Sequence, residues 1–336
     1  MTDTAVYGIV GGLREDYFIT PAGEAHLRVL GGNAVYAAVG ARVWAKDVGI
    51  VARVGANYPA EWLDRLEKAG ISSRNVRVLP DPQDTCTFYA YLSQEERVDT
   101  DPMAHFARIG RPVPRELVEY VSSTTGQESR KHFMPLAVRP DDLLEPVMSA
   151  RAYHLAPADF LTHHTVPVAL RRSSRPLVTV DPSIRYMQPA FKDDMRRILS
   201  GVDAFLPSEM EVRSFFREEK PGLWEAAAAL GAMGAALVVI KLGSRGQYVY
   251  DKASSRKWHV PAYPVTVRDV TGAGDAYCGG FLVGLAETGD PVEAALRGSI
   301  AASLVVEGVG ALYALGSTPG LAEARLQSLR DGVRKV

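Results

Sequence analysis

The sequence predicts an α/β protein: a mostly parallel central sheet with helices on its faces, and a second, smaller sheet projecting from it. Short apolar runs recur along the chain, and most are followed by a stretch of helical period. That alternation is the pattern of strands joined by helical crossovers. Two segments break the rhythm. One is turn-rich and extended (16–30), and the other alternates strictly between two faces (85–92). Together they predict the small sheet.

Taken in order, the apolar runs at 6–10, 48–51, 153–155, 177–180, 204–206, 237–240 and 248–250 predict the strands of the main sheet. Helical periods over 34–44, 60–69, 193–199, 223–233 and 275–287 predict the flanking helices. Within 85–92, Thr85, Thr87, Tyr89 and Tyr91 share one face, and Cys86, Phe88, Ala90 and Leu92 the other, as in a half-covered strand. Segment 121–131 is polar and aperiodic and reads as a surface loop. Val265, Thr266 and Val267 predict a short strand before the helix at 275. Asp290, Pro291 and Glu293 supply an N-cap, a first-position proline and a third-position acid for a helix running to about 306. Its small residues (Ala294, Ala295, Gly298, Ala301, Ala302) suit the close approach of another helix or of a flat ligand.

At 336 residues, with 47% hydrophobic and 23% charged residues, the composition is that of a globular enzyme. A net charge of -1 gives no electrostatic case for nucleic acid or an acidic membrane. The two cysteines, Cys86 and Cys278, lack metal spacing and suit a reducing compartment. The first residues lack the basic and apolar regions of a signal peptide, and the longest uncharged run, 226–240, is too short to span a bilayer. The expectation is a soluble, cytoplasmic protein with no membrane partner.

The most informative segment runs from Asp269 to Leu282. A Gly272-Ala273-Gly274 turn opens a helix that carries Asp275 in its first turn. Unpaired amides at a helix start attract anions, and glycines let a phosphate approach the backbone. A carboxylate beside an anion hole needs a reason, and taking a proton from an attacking hydroxyl is one. Gly31, Gly32 and Asn33 open the helix at 34, where Asn33 can hydrogen-bond hydroxyls or simply cap a turn. Asp16, with Glu15 as competitor, can accept two hydroxyl hydrogen bonds from a diol. Ser208 and Glu211 suit a helix N-terminus, and Lys241 to Gly246 suits a hairpin turn. There is no G-x-x-x-x-G-K-[ST], H-E-x-x-H or C-x-x-C sequence.

Taken together, these segments resemble the ribokinase-like (PfkB) carbohydrate and nucleoside kinases, from about Val6 to about Leu321. Their C-terminal signature reads D-T-x-G-A-G-D, with Val270 here in place of threonine. The resemblance implies one ribokinase-like kinase domain over 1–336, with a β-sheet lid formed by about 12–31 and 84–102. It implies Asp275 as catalytic base and an anion hole at Gly272, Ala273 and Gly274. Asp16, Gly31, Gly32, Asn33 and Tyr36 would touch the substrate, Tyr36 standing where the family's first signature has asparagine. Lys241, Gly243, Ser244 and Gly246 would line the nucleotide, with Ser299 near the adenine. Glu211, in a P-S-E-M-E variant of P-N-E-x-E, would order Mg2+ through water. Asp181 to Arg185 is similar to D-P-N-x-R, with the role of Arg185 open between a carboxylate partner and a phosphate ligand. The implied reaction is ATP-dependent phosphorylation of a primary alcohol on a small sugar, with ATP as donor and Mg2+ as cofactor. A monovalent cation such as K+ stays open. A nucleoside acceptor, with Phe88, Tyr89 or Tyr91 stacking on its base, is the alternative. A catalytically idle sugar- or nucleotide-binding protein is the rival of another class. The resemblance also implies a homodimer through the lid.

Overall fold

The alternating apolar runs and helical stretches assemble into one large sheet covered on both faces. The protein is seen here in a computed structural model, described over residues 6–93, 96–143, 149–173 and 175–336. The signal-peptide expectation for residues 1–4 lies outside the described residues. The strands are β1 (Tyr7–Val10), β2 (Arg14–Ile19), β3 (Ala25–Gly31), β4 (Val48–Val54), β5 (Ile71–Val78), β6 (Cys86–Tyr91) and β7 (Arg97–Val98), then β8 (Ala152–Leu155), β9 (Leu177–Val180), β10 (Ala204–Phe205), β11 (Leu237–Lys241), β12 (Gln247–Asp251), β13 (Arg256–Val260) and β14 (Arg334–Lys335). The helices are α1 (Asn33–Arg42), α2 (Ala60–Lys68), α3 (Pro102–Arg108), α4 (Phe160–Ser173), α5 (Lys192–Leu199), α6 (Glu209–Phe215), α7 (Leu223–Met233), α8 (Ala273–Thr288), α9 (Pro291–Val305) and α10 (Leu321–Leu329).

Among the described residues the main sheet has ten strands in the order β14-β13-β12-β11-β10-β9-β8-β1-β4-β5. Neighbours from β11 to β5 run parallel, and the β12–β14 edge is antiparallel. Alternate strand residues feed two cores. Ile9 and Val239 join the layer holding α1, α2, α8, α9 and α10. Val10, Val238 and Ile240 join the layer holding α4 to α7. This two-sided burial is why the central strands read as unbroken apolar runs.

The four-stranded sheet, β3-β2-β6-β7, stands apart from the main one. Tyr17, Ile19, Phe88 and Ala90 make one face apolar, packed on Phe106 of α3 and on Leu117. Phe88 is therefore core, unavailable for stacking on a ligand.

The structure differs from the sequence reading at four points. Val265 to Val267 form no strand, because Pro261 and Pro264 interrupt the ladder donors after β13 and the segment stays partly exposed. Strand β5 was not anticipated, since its polar residues suit the sheet edge it occupies. Helix α4 carries Pro167 inside it, which masks its helical pattern. The small residues of α9 receive α8 and no flat ligand: a Cβ on Gly280 would fall 2.8 Å from the Arg297 carbonyl, and one on Gly284 2.7 Å from Ala294 Cα.

Candidate active site

Parallel strands β1, β8, β9 and β10 all end along one edge of the main sheet, and the turns after them line a cleft of about 190 Å3. Gly11 and Gly12 follow β1, Asp159 follows β8, Ser183 follows β9 and Glu211 follows β10. The polar face of the small sheet adds Arg14, Asp16, Thr87, Tyr89 and Arg97, and the start of α8 adds Thr271, Gly272 and Asp275. A cleft beyond the carboxyl ends of parallel strands is where open α/β sheets bind ligands. A second hollow of about 260 Å3, lined by Val212, Phe216 and Leu223 among others, holds no carboxylate and lies apart.

Gly272 caps α8 at φ +74, and a Cβ there would fall 2.0 Å from the Tyr36 ring. Both the backbone conformation and the space thus require glycine. The preceding turn is fixed by Asp269, whose Oδ1 accepts from Thr271 N at 2.9 Å and from Thr271 Oγ1 at 2.7 Å. With its one proton spent on Asp269, the Thr271 hydroxyl accepts from Tyr91 at 2.8 Å, tying the turn to β6. The Ala273 amide is committed to the Val270 carbonyl at 3.2 Å. Of the predicted anion hole, Ala273 is therefore engaged, while the first-turn amides of α8 at Gly274 and Asp275 have no intrahelical acceptor. The Asp275 carboxyl is pushed up to about 7, by burial first and then by the Asp181 charge, with Lys241 and Arg97 pulling the other way.

Asp16 is buried beside the same cleft. Its Oδ2 accepts from Gly32 N at 3.3 Å, and Oδ1 has no partner. Burial raises this carboxyl to about 7 as well. A Cβ on Gly31 would sit 1.8 Å from Asp16 Oδ2. Glu15 points elsewhere, to Arg28 and Thr85. Asn33 is not a free donor: Oδ1 accepts from Gly12 N at 2.8 Å and Nδ2 donates to Pro157 O at 2.7 Å. Asn33 instead clamps the β1 turn to the β8 turn, and the helix cap at this point is Gly32. Tyr36 lines the cleft with its hydroxyl unpartnered.

Lys241 forms an ion pair with Asp181 and lies 3.6 Å from Cys278 Sγ. Its Nζ would be 3.8 Å from a Cβ on Gly274, so its charge stands beside the N-terminus of α8. Burial works against that charge, but Asp181, Cys278 and Glu211 together outweigh it and hold the ammonium above its usual range. Cys278 is buried as anticipated for a small hydrophobe, yet its Sγ also touches Asp181 at 3.5 Å. Glu211 caps α6 with Ser208, which donates N–H and hydroxyl to Oε2 at 2.7 and 2.8 Å. Burial, then Asp181, push Glu211 up to about 7.

Gly243, Ser244 and Gly246 form the hairpin turn between β11 and β12, outside the cleft lining, with Gly243 and Ser244 exposed and Gly246 buried. Ser299 is buried and spends its hydroxyl on Gln247 and the Pro261 carbonyl, so it is not open to a ligand. Arg185 forms no ion pair among the described residues; it donates to Thr124 Oγ1 at 2.9 Å and reaches Ser122 at 3.5 Å. Those partners belong to segment 121–131, which is no bystander: Ser123, Thr124 and Gln127 line the cleft. Sequence reasoning missed these, together with Arg14, Arg97 and Asp159. For Arg14, the i, i+2 spacing to Asp16 on a strand was the available signal.

The pfkB family carbohydrate kinase pattern matches residues 167–316, which include the β11–β12 hairpin and the start of α8. A cytidine kinase of Thermococcus kodakarensis is 28% identical over 291 residues, covering 86% of this chain and 91% of that protein. A 5-dehydro-2-deoxygluconokinase of Bacillus licheniformis is 45% identical over 83 residues, 24% of this chain and 25% of that one. Among solved structures, Arabidopsis thaliana ribokinase complexed with ribose and ATP superposes with a TM-score of 0.68 at 18% identity, covering 97% of this chain and 99% of that one. The family match over residues 167–316, the relatives and the shared fold agree: the chain is similar to the pfkB family carbohydrate kinases.

Proposed function

We propose that the protein transfers the γ-phosphoryl group of ATP to a hydroxyl, a primary alcohol, of a small sugar-like acceptor, with Asp275 as the base. The observation that carries this is a carboxyl group with its pKa raised to about 7, set in the first turn of α8 and facing the cleft. A base with a pKa near neutrality both exists ionised and drives proton transfer. Asp275 takes the acceptor proton as the alcohol oxygen bonds to the γ-phosphorus and the bond to the β–γ bridging oxygen breaks, releasing ADP. The open amides at the start of α8 and the Lys241 ammonium offset charge on the migrating group. Asp16, with one oxygen unpartnered, orients the acceptor hydroxyls.

The donor set fits magnesium held mainly by nucleotide and water. Among the described residues no group of three or more His, Cys, Asp or Glu side chains forms a metal cage. Glu211 would reach the ion through water with the oxygen left free by Ser208. When bound, the ion supplies charge neutralisation at the phosphate oxygens.

A cleft of about 190 Å3 lies below the roughly 300 Å3 at which pockets for drug-sized ligands begin, which favours a compact polyol. The second reading, a nucleoside acceptor, is favoured by the cytidine kinase relative matched over most of its length. Replacing Asp275 with Asn tests the base. Turnover falls by on the order of 1,000-fold or more, within the range for general base loss, while ATP binding measured by calorimetry persists. Turnover within tenfold of the parent protein would remove Asp275 from that role.

A further inference from the structure

The cleft face of the small sheet carries charge that transfer to a neutral sugar does not use. Arg14 and Asp16 lie two residues apart on β2, so their side chains share a face. Asp16 pairs with Thr87 across to β6, and Tyr91 pairs with Arg97 across to β7, which brings Thr87, Tyr89 and Arg97 to that same face. Arg14 and Arg97 both line the cleft. Neither is ion-paired among the described residues. Arg14 has only a hydrogen bond at the distance limit, 3.5 Å, to the Asp84 carbonyl. The guanidinium of Arg97 lies 4.6 Å from the Tyr89 ring centre and donates to the Tyr91 hydroxyl, which leaves further N–H donors for a ligand.

Two other arginines largely withdrawn from water meet carboxylates. Arg53 meets Asp142 at 2.7 and 3.1 Å, and Arg297 meets Glu287 at 2.6 Å. Arg14 and Arg97 face the cleft with no carboxylate at ion-pair distance, and closure over a neutral acceptor would leave their charge without a direct partner. On the kinase reading the nucleotide phosphates lie at the start of α8, where Lys241 stands, whereas Arg14 opens β2 beside Gly12 on the side of Asp16, and Arg97 lies near enough to act on both Asp16 and Asp275. Planar guanidiniums bind carboxylate and phosphate through paired N–H donors.

We infer that the acceptor is an anionic sugar, a polyol bearing a carboxylate or a phosphate, whose charged group is held by Arg14 and Arg97 while Asp16 takes its hydroxyls. This rests on the kinase reading above and narrows its substrate. The test is a coupled ADP-release assay with an aldonic acid, a keto-aldonic acid, a hexose monophosphate, a neutral hexose and a pyrimidine nucleoside. The acid and phosphate arms identify the source of the anion. One of the anionic acceptors gives the highest kcat/KM. In Arg14→Gln and Arg97→Gln the anionic-to-neutral ratio of kcat/KM falls about 10- to 100-fold, as for a lost charge-assisted hydrogen bond, mainly through KM. Preference for the neutral hexose or the nucleoside, or an unchanged ratio in both variants, overturns the inference. Calorimetric binding of the five compounds to the parent protein and to Asp275→Asn separates the two claims. An anionic sugar that binds through the arginines yet is never phosphorylated sinks the kinase reading and keeps the anion site. No binding by any anionic sugar sinks the anion site, whatever else is phosphorylated.

Discussion

The chemistry at single residues is set by burial working against charge. Asp275, Asp16 and Glu211 are each pushed up to about 7, burial being the first cause in all three. A carboxyl whose folded pKa exceeds its unfolded value of roughly 4 holds its proton more tightly in the folded state. Its contribution to stability is therefore full below pH 4 and is lost as pH rises through 7. Asparagine at position 275 has no proton to lose, so its stability relative to aspartate improves over that interval. Thermal midpoints of the ligand-free proteins at pH 5 and pH 8 measure this. Asp275→Asn gains on the parent by on the order of 1–2 kcal/mol between the two pH values, a discounted figure because Asp275 keeps some contact with solvent. An equal difference at both pH values would mean that the carboxyl is not strained by its surroundings. The candidate base was legible in the sequence because glycine, glycine and acid fall at fixed offsets. The pairing of Lys241 with Asp181 was not, since the partners are 60 residues apart and meet only across β9 and β11.

At the scale of elements, the N-terminus of α8 points at the cleft because glycines let three helices come close. A Cβ on Gly279 would stand 1.8 Å from the Ala37 carbonyl of α1, and one on Gly40 would stand 2.0 Å from the Ala276 carbonyl of α8. Helix propensity alone says that Gly279→Ala should stabilise an interior helical position by about 1 kcal/mol. The steric argument gives the opposite sign, since neither backbone can yield. The expected result in urea unfolding is a loss of about 3 kcal/mol. A gain would show that the packing of α1 on α8 is looser than these distances require. The small-residue run in α9 announced close packing but not its partner. What distinguishes a helix from a flat ligand there is the register that brings Gly280 and Gly284 against α9, and no local pattern encodes it.

For the molecule as a whole, two sheets face one cleft, and the sequence conveyed this unevenly. The main sheet was readable because strands covered on both faces become apolar runs. The small sheet was readable because Tyr17, Ile19, Phe88 and Ala90 alternate with residues turned toward the cleft. Segment 121–131 was opaque, since its polar residues resemble a solvated loop while Ser123 and Gln127 in fact face the cleft. The tie between the sheets was equally hidden: the Tyr91 hydroxyl donates to Thr271, which donates to Asp269, so the turn that positions α8 is coupled to the strand that covers the cleft. If the small sheet excludes water while phosphoryl transfer proceeds, Tyr91→Phe loosens that cover without touching Asp275 or the helix amides. The missing hydrogen bond costs about 1 kcal/mol, enough to shift a closed-to-open balance about fivefold. ATP hydrolysis in the absence of an acceptor, divided by acceptor phosphorylation at saturation, therefore rises about two- to fivefold in Tyr91→Phe. A ratio matching the parent protein alongside a lowered thermal midpoint would make the tie a structural support alone, and would shift the task of excluding water to the acceptor itself.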